Sequence, residues 1–428
     1  MSERDNGNKT RLAARTRKKR ARNLHLIRLF SVVLALCVAF VAGFFLRGNA
    51  TFLQSLGFPS SVTGLDDSIV DSSAKKDSYN SASARLAEVE QILSEDSMDS
   101  YDLDAATNEV LASISDASDD PYLRYFDASR YSQLLGDDAE GYAGIGVMFS
   151  EYNGQAYVVD VFEGSAAQLS DVRVGDFVVA INGDRSQAWT RAEVIAALNS
   201  LEGETVSITW RRPETLESDG GTELTTALSC EPSTTRNITT ELADNVGYIE
   251  VKQFTQNSSE LVSQAVQELE SQGAEAYVLD LRNNPGGYLN QAVSIASLFI
   301  NSGNVVQVQT KNGTSVKAVS GTTVTARPVV VLVNKNTAAS AEVLAAAFKE
   351  TQRGTVIGET TLGKGSVQVV RELSFGGALR YTAAYYLTAQ GRTIDKTGLN
   401  PDVSVANGDS GDAQLDYARE YASSLAAS

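Results

Sequence analysis

The sequence predicts a mixed α/β (α+β) core preceded by a β-rich domain, a small N-terminal helical cap and a single N-terminal transmembrane helix. Apolar strands alternate with helical patterns between residues 237 and 405, which is typical of an α/β core with a partly parallel sheet. Short strands separated by glycine turns fill residues 140–231. Apolar residues at helical spacing run from Ala82 to about Ile114 and predict the cap.

An uncharged apolar run predicts the membrane anchor. Residues 29–46 contain eighteen residues without a charge, which is near the lower limit for a helix that spans a bilayer. Residues 1–28 carry ten Lys and Arg against two acidic residues, which predicts that this side stays in the cytoplasm. A cleaved signal peptide is the alternative, but no convincing small-x-small cleavage site precedes Arg47 and the basic region is long. We therefore expect a single-pass protein of the cell membrane whose globular part is extracytoplasmic.

Length and charge limit the class of protein. The 428 residues allow two or three domains, and a hydrophobic fraction of 43% is enough for real cores. The net charge is −17, and because the first 28 residues hold +8, the remainder carries −25 and is not expected to bind nucleic acid. The predicted domains are a basic cytoplasmic tail (1–28), a transmembrane anchor (29–46), a linker (47–80), a helical cap (81–135), a β-rich domain (140–231), an α/β core (237–405) and a C-terminal tail (406–428).

The distribution of histidine and cysteine excludes several kinds of catalytic site. The only histidine is His25, in the basic tail, so the globular part has no Ser-His-Asp triad. Cys37 lies in the apolar run and Cys230 has no histidine partner, so neither a Cys-His nucleophile nor a Cys/His zinc site is expected. A hydrolase with a covalent mechanism would need lysine or a carboxylate as its base, and burial can lower the pKa of a lysine enough for that role.

The stretch from Asn334 to Gln368 holds the candidate chemistry. An apolar strand leads into a turn, a helix is predicted from about Ser340 to Glu350, and Lys364 follows between two glycines. In α/β sheets, ligands gather at the carboxyl ends of strands, where this turn and the turn at 282–287 both lie. Residues 358–365 also read GxxxxGKG, but a glycine replaces the Ser or Thr of a phosphate-binding loop and a strand follows, so nucleotide binding is rejected.

The β-rich domain carries a recognisable pattern of turns. A glycine-bracketed loop, GIGV, opens its first long strand, and further strands, turns and an amphipathic helix follow in order. This order resembles a PDZ domain of the circularly permuted bacterial kind. The resemblance implies that a peptide adds as a strand while backbone N–H groups of the loop receive its C-terminal carboxylate. The predicted peptide-binding residues are Gly144, Ile145, Gly146 and Val147.

A set of motifs in one order resembles the carboxyl-terminal processing peptidases, also called tail-specific proteases. The motifs are DPYLRYF at 120–126, GIGV at 144–147, GYIEVKQF at 247–254, LDLRNNPGG at 279–287, VLVN at 331–334, GETTLGKGSVQ at 358–368 and GRTIDKTGLNPDV at 391–403. The resemblance covers about residues 85–405. It implies a membrane-facing serine endopeptidase with a Ser-Lys dyad, polypeptide substrates with accessible C-termini, and no metal or other cofactor. Homo-oligomerisation stays open.

The resemblance also implies roles for residues of the site. Lys364 corresponds to the base, and Gln368, four residues later, corresponds to the glutamine that holds it. Backbone N–H groups of Gly286 and Gly287 would form an oxyanion hole together with the amide that follows the nucleophile. The alternative for these glycines is an ordinary strand-to-helix turn that requires positive φ.

The nucleophile is the one position where the motif fails. The family pattern is close to S-A-S-A-S-E, and its nucleophile lies three residues before the glutamate and twenty-five before the lysine. Counted from Glu342 and Lys364, that position is Ala339, and Ser340 is its neighbour. Three interpretations stay open: an engineered replacement of serine at 339, a helix start shifted by one so that Ser340 attacks, or a non-catalytic relative that binds peptides. Ser340 could also be a simple N-cap, worth about 1 kcal/mol.

Overall fold

The computed structural model describes residues 81–135, 143–186, 188–232, 237–407 and 411–427. Its helices are α1 Ala82–Asp96, α2 Leu103–Asp116, α3 Ala128–Leu135, α4 Ala166–Leu169, α5 Arg191–Asn199, α6 Ser258–Ser271, α7 Leu289–Phe299, α8 Ser340–Glu350 and α9 Ala413–Ala426. Its strands are β1 Arg124–Phe126, β2 Ala143–Gly144, β3 Val147–Tyr152, β4 Gln155–Val161, β5 Phe177–Ile181, β6 Thr205–Arg212, β7 Thr222–Ser229, β8 Glu231–Pro232, β9 Ile238–Ala243, β10 Val246–Val251, β11 Ala276–Asp280, β12 Asn304–Thr310, β13 Gly313–Ala318, β14 Val329–Val333, β15 Gly354–Gly358, β16 Ser366–Glu372, β17 Ala378–Thr388 and β18 Val403–Ser404.

The transmembrane part of the predicted fold class, and the single-pass location at the cell membrane that depended on it, are corrected here. A spanning helix needs about 20 consecutive apolar residues. The longest helix in the described ranges, α1, has 15 residues, and no helix in those ranges is both long and apolar enough to cross a bilayer. The predicted anchor at 29–46 lies outside the described residues. The fold class is therefore a mixed α/β core with a β-rich domain.

The segment predicted as a helical cap contains separate helices. Helix α1 starts at the N-cap Ser81, whose hydroxyl accepts from Ala84 N, and none of its residues is buried. Helix α2 belongs to the compact unit that starts at Leu103. Within that unit Tyr125 Oη donates to Asn108 Oδ1 at 3.0 Å, so strand β1 is attached to α2. The helical spacing seen in the sequence is confirmed by α1 and α2.

The β-rich domain is built around a five-stranded antiparallel sheet in the order β3-β4-β5-β6-β7. Trp210, Ile208 and Val158 are fully buried in its core, and helix α5 starts with a capping box formed by Thr190 and Glu193. A separate short pair joins β2 to β8, where Gly144 comes so close to Glu231 that a Cβ would overlap the Glu231 backbone. Strand β3 is the first strand in the order of the main sheet, so it lies at an edge of that sheet.

The α/β core contains a six-stranded sheet in the order β18-β15-β14-β11-β10-β9. All neighbours pair in parallel except β9, which confirms the partly parallel sheet. Every residue of β14 is buried, because alternate side chains face opposite apolar clusters. Helices α6, α7 and α8 cover one face and α9 covers the other. The sequence analysis had left residues 406–428 as a tail, although α9 buries Ala418 and Ala422 against this sheet.

A second sheet of the core holds the lysine-bearing segment. Its order is β1-β17-β12-β13, and β16 pairs with β17 beside that path. Strand β1 pairs with β17 at Arg124 opposite Arg380, so the DPYLRYF motif runs along the core. Strand β16 starts two residues after Lys364.

Candidate active site

The turn between β14 and α8 presents residue 339 at the start of a helix. Ala339 is the N-cap residue and has φ 53° and ψ −121°, a left-handed conformation that a non-glycine residue rarely adopts. The turn before it is fixed from within, because Asn334 N donates to Thr337 Oγ1 at 3.0 Å. Thr337 Oγ1 donates in turn to Leu281 O at 2.8 Å, which ties the turn to the end of β11.

Ala339 and Ser340 have different surroundings. Ala339 is half-buried, whereas Ser340 is only 1% exposed and its Oγ donates to the carbonyl oxygen of Gly287 at 3.1 Å. Both residues lie against Gly286, because a Cβ built there would be 3.0 Å from Ala339 Cβ and 2.9 Å from Ser340 Oγ. The structure thus brings Gly286, Gly287, Ala339 and Ser340 together, with the Ser340 hydroxyl turned inward.

The two predicted oxyanion-hole glycines differ in whether their backbone N–H group already donates a hydrogen bond. Gly286 N donates to Asn284 Oδ1 at 2.8 Å, so this N–H group already has an acceptor. Gly287 has φ 136°, and a Cβ there would lie 2.2 Å from Phe254 O, so only glycine fits. Among the described residues, neither Gly287 N nor Ser340 N donates a hydrogen bond. Those two amides are available to an incoming oxygen.

Three asparagines join the turn after β11 to the turn after β14. Asn283 N donates to Asn334 Oδ1 at 3.0 Å, and Asn334 Nδ2 donates back to Asn283 Oδ1 at 2.7 Å. Asn336 Nδ2 donates to the same Asn283 oxygen at 3.0 Å. These bonds fix the glycine turn relative to residue 339. The sequence analysis assigned this role to none of the three, and the available signal was the position of Asn283 just after a buried strand. In the structure Asn283 has a positive φ of 57°.

Glu342 lies under the site and is fully buried. Its Oε2 accepts from Ala339 N at 2.8 Å and from Lys364 N at 2.9 Å, and its Oε1 accepts from Gly363 N at 2.8 Å and from the Thr361 hydroxyl. Burial raises the pKa of this carboxyl to about 7, although the four donors act in the opposite direction. Sequence reasoning used Glu342 only to count positions. Its place three residues after the N-cap, where glutamate caps helices, was the available signal.

Lys364 is half-buried, and its Nζ lies 5.4 Å from the centre of the Tyr122 ring. Burial lowers the pKa of Lys364, while Glu151 acts to raise it and Arg380 to lower it. The glycine before it has φ 82° and the glycine after it lies against Asp395, where a Cβ would meet backbone at 2.3 Å. The loop therefore holds a lysine whose neutral form is favoured relative to a lysine in water.

Gln368 faces the same side of β16 as Ser366, as strand alternation predicts. Its Nε2 donates to Ser366 Oγ at 2.9 Å and to Thr382 Oγ1 at 3.4 Å, and in the described part of the chain it has no bond to Lys364. Thr382 is held by Asp120, which accepts from both its N and its Oγ1. Asp120 and Tyr122 of the DPYLRYF motif are thus site residues to which the sequence analysis assigned no role.

The β-rich domain contacts the lysine loop directly. Leu362, two residues before Lys364, packs against buried apolar residues of that domain that include Tyr157 and Phe177. An ion pair between Glu151 of β3 and Arg380 of β17 is almost fully buried, with side chains 3% and 11% exposed. A cavity of about 1120 Å³ opens beside these contacts, and its lining includes Tyr122, Leu216, Lys335, Lys364, Thr382 and Tyr385. This volume exceeds that of a typical small-molecule site.

The GIGV loop has its carbonyls occupied, and the strand that follows it has one strand neighbour among the described residues. Ala167 N donates to Ile145 O at 3.1 Å and Phe162 N donates to Gly146 O at 2.9 Å. The Ile145 and Val147 side chains are fully buried, so only backbone of this loop is presented outward. Within the described ranges, β3 pairs with no strand other than β4, and on its outer edge Phe149 O accepts from Arg191 Nε at 2.8 Å.

Comparisons with known proteins agree with this architecture. Residues 245–405 match peptidase family S41, and residues 157–212 match the PDZ domain. The chain is 33% identical over 378 residues to the carboxy-terminal processing protease CtpA of Bacillus subtilis, covering 87% of this chain and 76% of the relative. It is also 33% identical over 301 residues to a carboxyl-terminal-processing protease of Synechocystis, covering 69% of each chain.

The solved structure of a photosystem II D1 C-terminal processing protease superposes with a TM-score of 0.61 at 28% identity, over 82% of this chain and 93% of that one. The fold and the matches define a serine peptidase core joined to a PDZ domain. The chain belongs to the carboxyl-terminal processing proteases of peptidase family S41. The predicted family is thereby confirmed.

The raised pKa of Glu342 predicts a pH dependence of stability. The carboxyl takes up its proton near pH 7 in the folded chain and near 4.5 when unfolded, so the folded state binds more protons between those values. The free energy of unfolding should therefore fall as the pH rises from about 5 to 8, by on the order of 3 kcal/mol from this group. Urea unfolding at several pH values should show this slope in the chain and not in its Glu342→Gln variant. Parallel profiles of the two proteins would contradict the assignment.

Proposed function

We propose that this chain carries the site of a Ser-Lys endopeptidase that captures C-termini through its PDZ domain, with residue 339 as the nucleophile position. The observation that carries the proposal is the backbone of Ala339, which is left-handed and half-buried at the start of α8 beside Gly286. A strained residue of this kind persists where the surrounding structure holds it, and such strain clusters at functional sites. Ala339 supplies no hydroxyl group, so the chain as it stands has the scaffold without the attacking atom.

With serine at 339, Lys364 and the two available amides would supply the chemistry. Neutral Lys364 would take the proton from the serine hydroxyl as its oxygen attacks the peptide carbonyl. Gly287 N and Ser340 N would donate to the oxyanion of the tetrahedral intermediate. The lysine would then give its proton to the leaving amine, and water would hydrolyse the acyl-enzyme. Gln368 would orient Lys364 once that side chain leaves the Tyr122 ring.

The contacts of the PDZ domain support a role in gating. Leu362 and the Glu151–Arg380 pair both connect the PDZ domain to the segment around Lys364. Movement of that domain on peptide binding would change both contacts and let Lys364 approach residue 339. Loop and domain movements of this kind set the turnover of many enzymes. The outer edge of β3, which has no neighbouring strand among the described residues, would receive the peptide by strand addition.

A second function, that of a peptide-binding adaptor without turnover, is favoured by Ala339 itself. The PDZ loop and the lysine loop are intact, so capture would proceed without cleavage at residue 339. Attack by Ser340 is the less supported alternative, because its hydroxyl is buried and donates to Gly287 O. The peptidase and adaptor hypotheses make different predictions for a hydroxyl group at 339: the peptidase hypothesis predicts that it restores cleavage, and the adaptor hypothesis predicts that it does not.

We expect Ala339→Ser to produce proteolysis of an unfolded protein, at a rate about 10³-fold or more above the chain as given, because the other groups of the site are in place. Release of labelled fragments measures the rate. Lys364→Ala in the serine-containing chain should abolish cleavage, whereas Ser340→Ala should leave most of it. Cleavage by the chain as given that disappears in Ser340→Ala would identify Ser340 as the nucleophile instead.

Peptide capture is expected to depend on a free C-terminal carboxylate. A fluorescent peptide with that carboxylate should bind the chain at least about tenfold more tightly than the same peptide with an amidated C-terminus, because the amide removes the charge that the loop N–H groups receive. Fluorescence anisotropy with the chain as given measures both affinities without a cleavage step. Equal affinities would argue against carboxylate recognition by Gly144–Val147.

A further inference from the structure

Two backbone amides from distant parts of the sequence meet at one carboxylate oxygen. Oε2 of Glu342 accepts from Ala339 N at 2.8 Å and from Lys364 N at 2.9 Å. The first amide belongs to the residue at the nucleophile position and the second to the residue at the base position. Because an oxygen with two such bonds has little freedom, it fixes the distance between the two backbones.

The other oxygen of Glu342 bonds to the lysine loop, and Thr361 of that loop bonds to the turn at 395–399. Oε1 accepts from Gly363 N at 2.8 Å and from the Thr361 hydroxyl. Thr361 is held in turn by Leu399, since Thr361 N donates to Leu399 O and Leu399 N donates to Thr361 Oγ1 at 2.7 Å. One of the four hydrogen bonds of Glu342 thus goes to the helix start, and the other three go to residues 361–364 of the lysine loop.

Helix capping alone does not account for this arrangement. A capping glutamate bonds to its N-cap residue, as Glu193 does in the PDZ domain, where one oxygen accepts from Thr190 N at 2.9 Å and from the Thr190 hydroxyl at 2.8 Å and the other pairs with Arg130. Glu342 makes that bond and three more, all with residues 361–364. All four partners are donors, so an ionised carboxylate satisfies them, whereas a glutamine would turn its NH₂ group toward one pair.

We propose that Glu342 is a positioning residue for proteolysis, which holds the backbones of residues 339 and 364 in one frame so that the base can reach the nucleophile. The inference rests on the proposed function of this site. Glu342 acts through its two neighbours, because it is fully buried and cannot touch a substrate. Loss of the shared oxygen should therefore slow the chemical step and leave substrate binding in place.

The test uses the full chain with Ala339→Ser, alone and combined with Glu342→Gln. The combined variant should lose between about tenfold and a hundredfold in kcat, because a displacement of about 1 Å between reacting groups has that effect, while KM stays within about threefold. Glu193→Gln in the same background is the matched control, a buried capping-box glutamate outside the site, and it should keep kcat. An unchanged kcat in the Glu342 variant, or an equal loss in both variants at equal loss of Tm, overturns the proposal.

Thr361→Val keeps the test decisive if Glu342→Gln does not fold. This change removes one donor from Oε1, so the carboxylate is held less firmly and its Oε2 fixes the two backbones less well; kcat should therefore fall severalfold with KM unchanged. A kcat equal to that of the Ala339→Ser chain would overturn the proposal.

Hydrogen exchange separates this inference from the proposed function. In the chain as given, Glu342→Gln should speed amide exchange by tenfold or more in two segments together, 337–344 and 360–366, and Glu193→Gln in neither. Faster exchange in 337–344 alone would show a simple helix cap and overturn the proposal. If Ala339→Ser shows no proteolysis, the proposed function fails, and the exchange result still decides whether one carboxylate joins the two backbones.

Discussion

The burial of one carboxylate is the constraint on which the rest of the site depends. Removing an ionised carboxylate from water costs several kcal/mol unless donors replace the lost hydration. Glu342 meets this requirement with three backbone amides and one hydroxyl, and these come from two loops that are far apart in the sequence. The helix start and the lysine loop therefore have to come together for either to be stable. The parallel sheet makes this meeting geometrically simple, since β14 and β15 are neighbours and end at the same edge.

Around this centre, charged groups of two domains share one poorly hydrated region. Lys364 and Arg380 both lie near the face of Tyr122, at 5.4 and 5.9 Å, and Glu151 of the PDZ domain neutralises Arg380. Burial and the second cation both lower the pKa of Lys364, and Glu151 opposes them. The protonation of the lysine is therefore linked to the position of the PDZ domain, because that domain supplies the opposing charge.

The sequence was most informative where local patterns determine structure. The apolar run before Asn334 and the Ala- and Leu-rich segment after it predicted strand β14 and helix α8. The partners of Gln368 could not be predicted, because alternation fixes a face and does not identify neighbours on another strand. The bonds of Glu342 could not be predicted either, because backbone amides are common to almost all residue types and Lys364 is 22 positions away in the sequence. Helix α9 was missed because its buried face consists mainly of small alanines.

The chain also shows that the shape of residue 339 does not depend on a hydroxyl group. The left-handed backbone of Ala339 is present with alanine at this position, and its bond to Glu342 uses a backbone amide that every residue has except proline. The side chain at 339 can therefore change without disturbing its surroundings. A fold organised in this way can retain the geometry of the site even when the reactive atom is lost. Cleaving and non-cleaving descendants of one ancestor could then differ by a single codon, and either could arise from the other without passing through an unfolded intermediate.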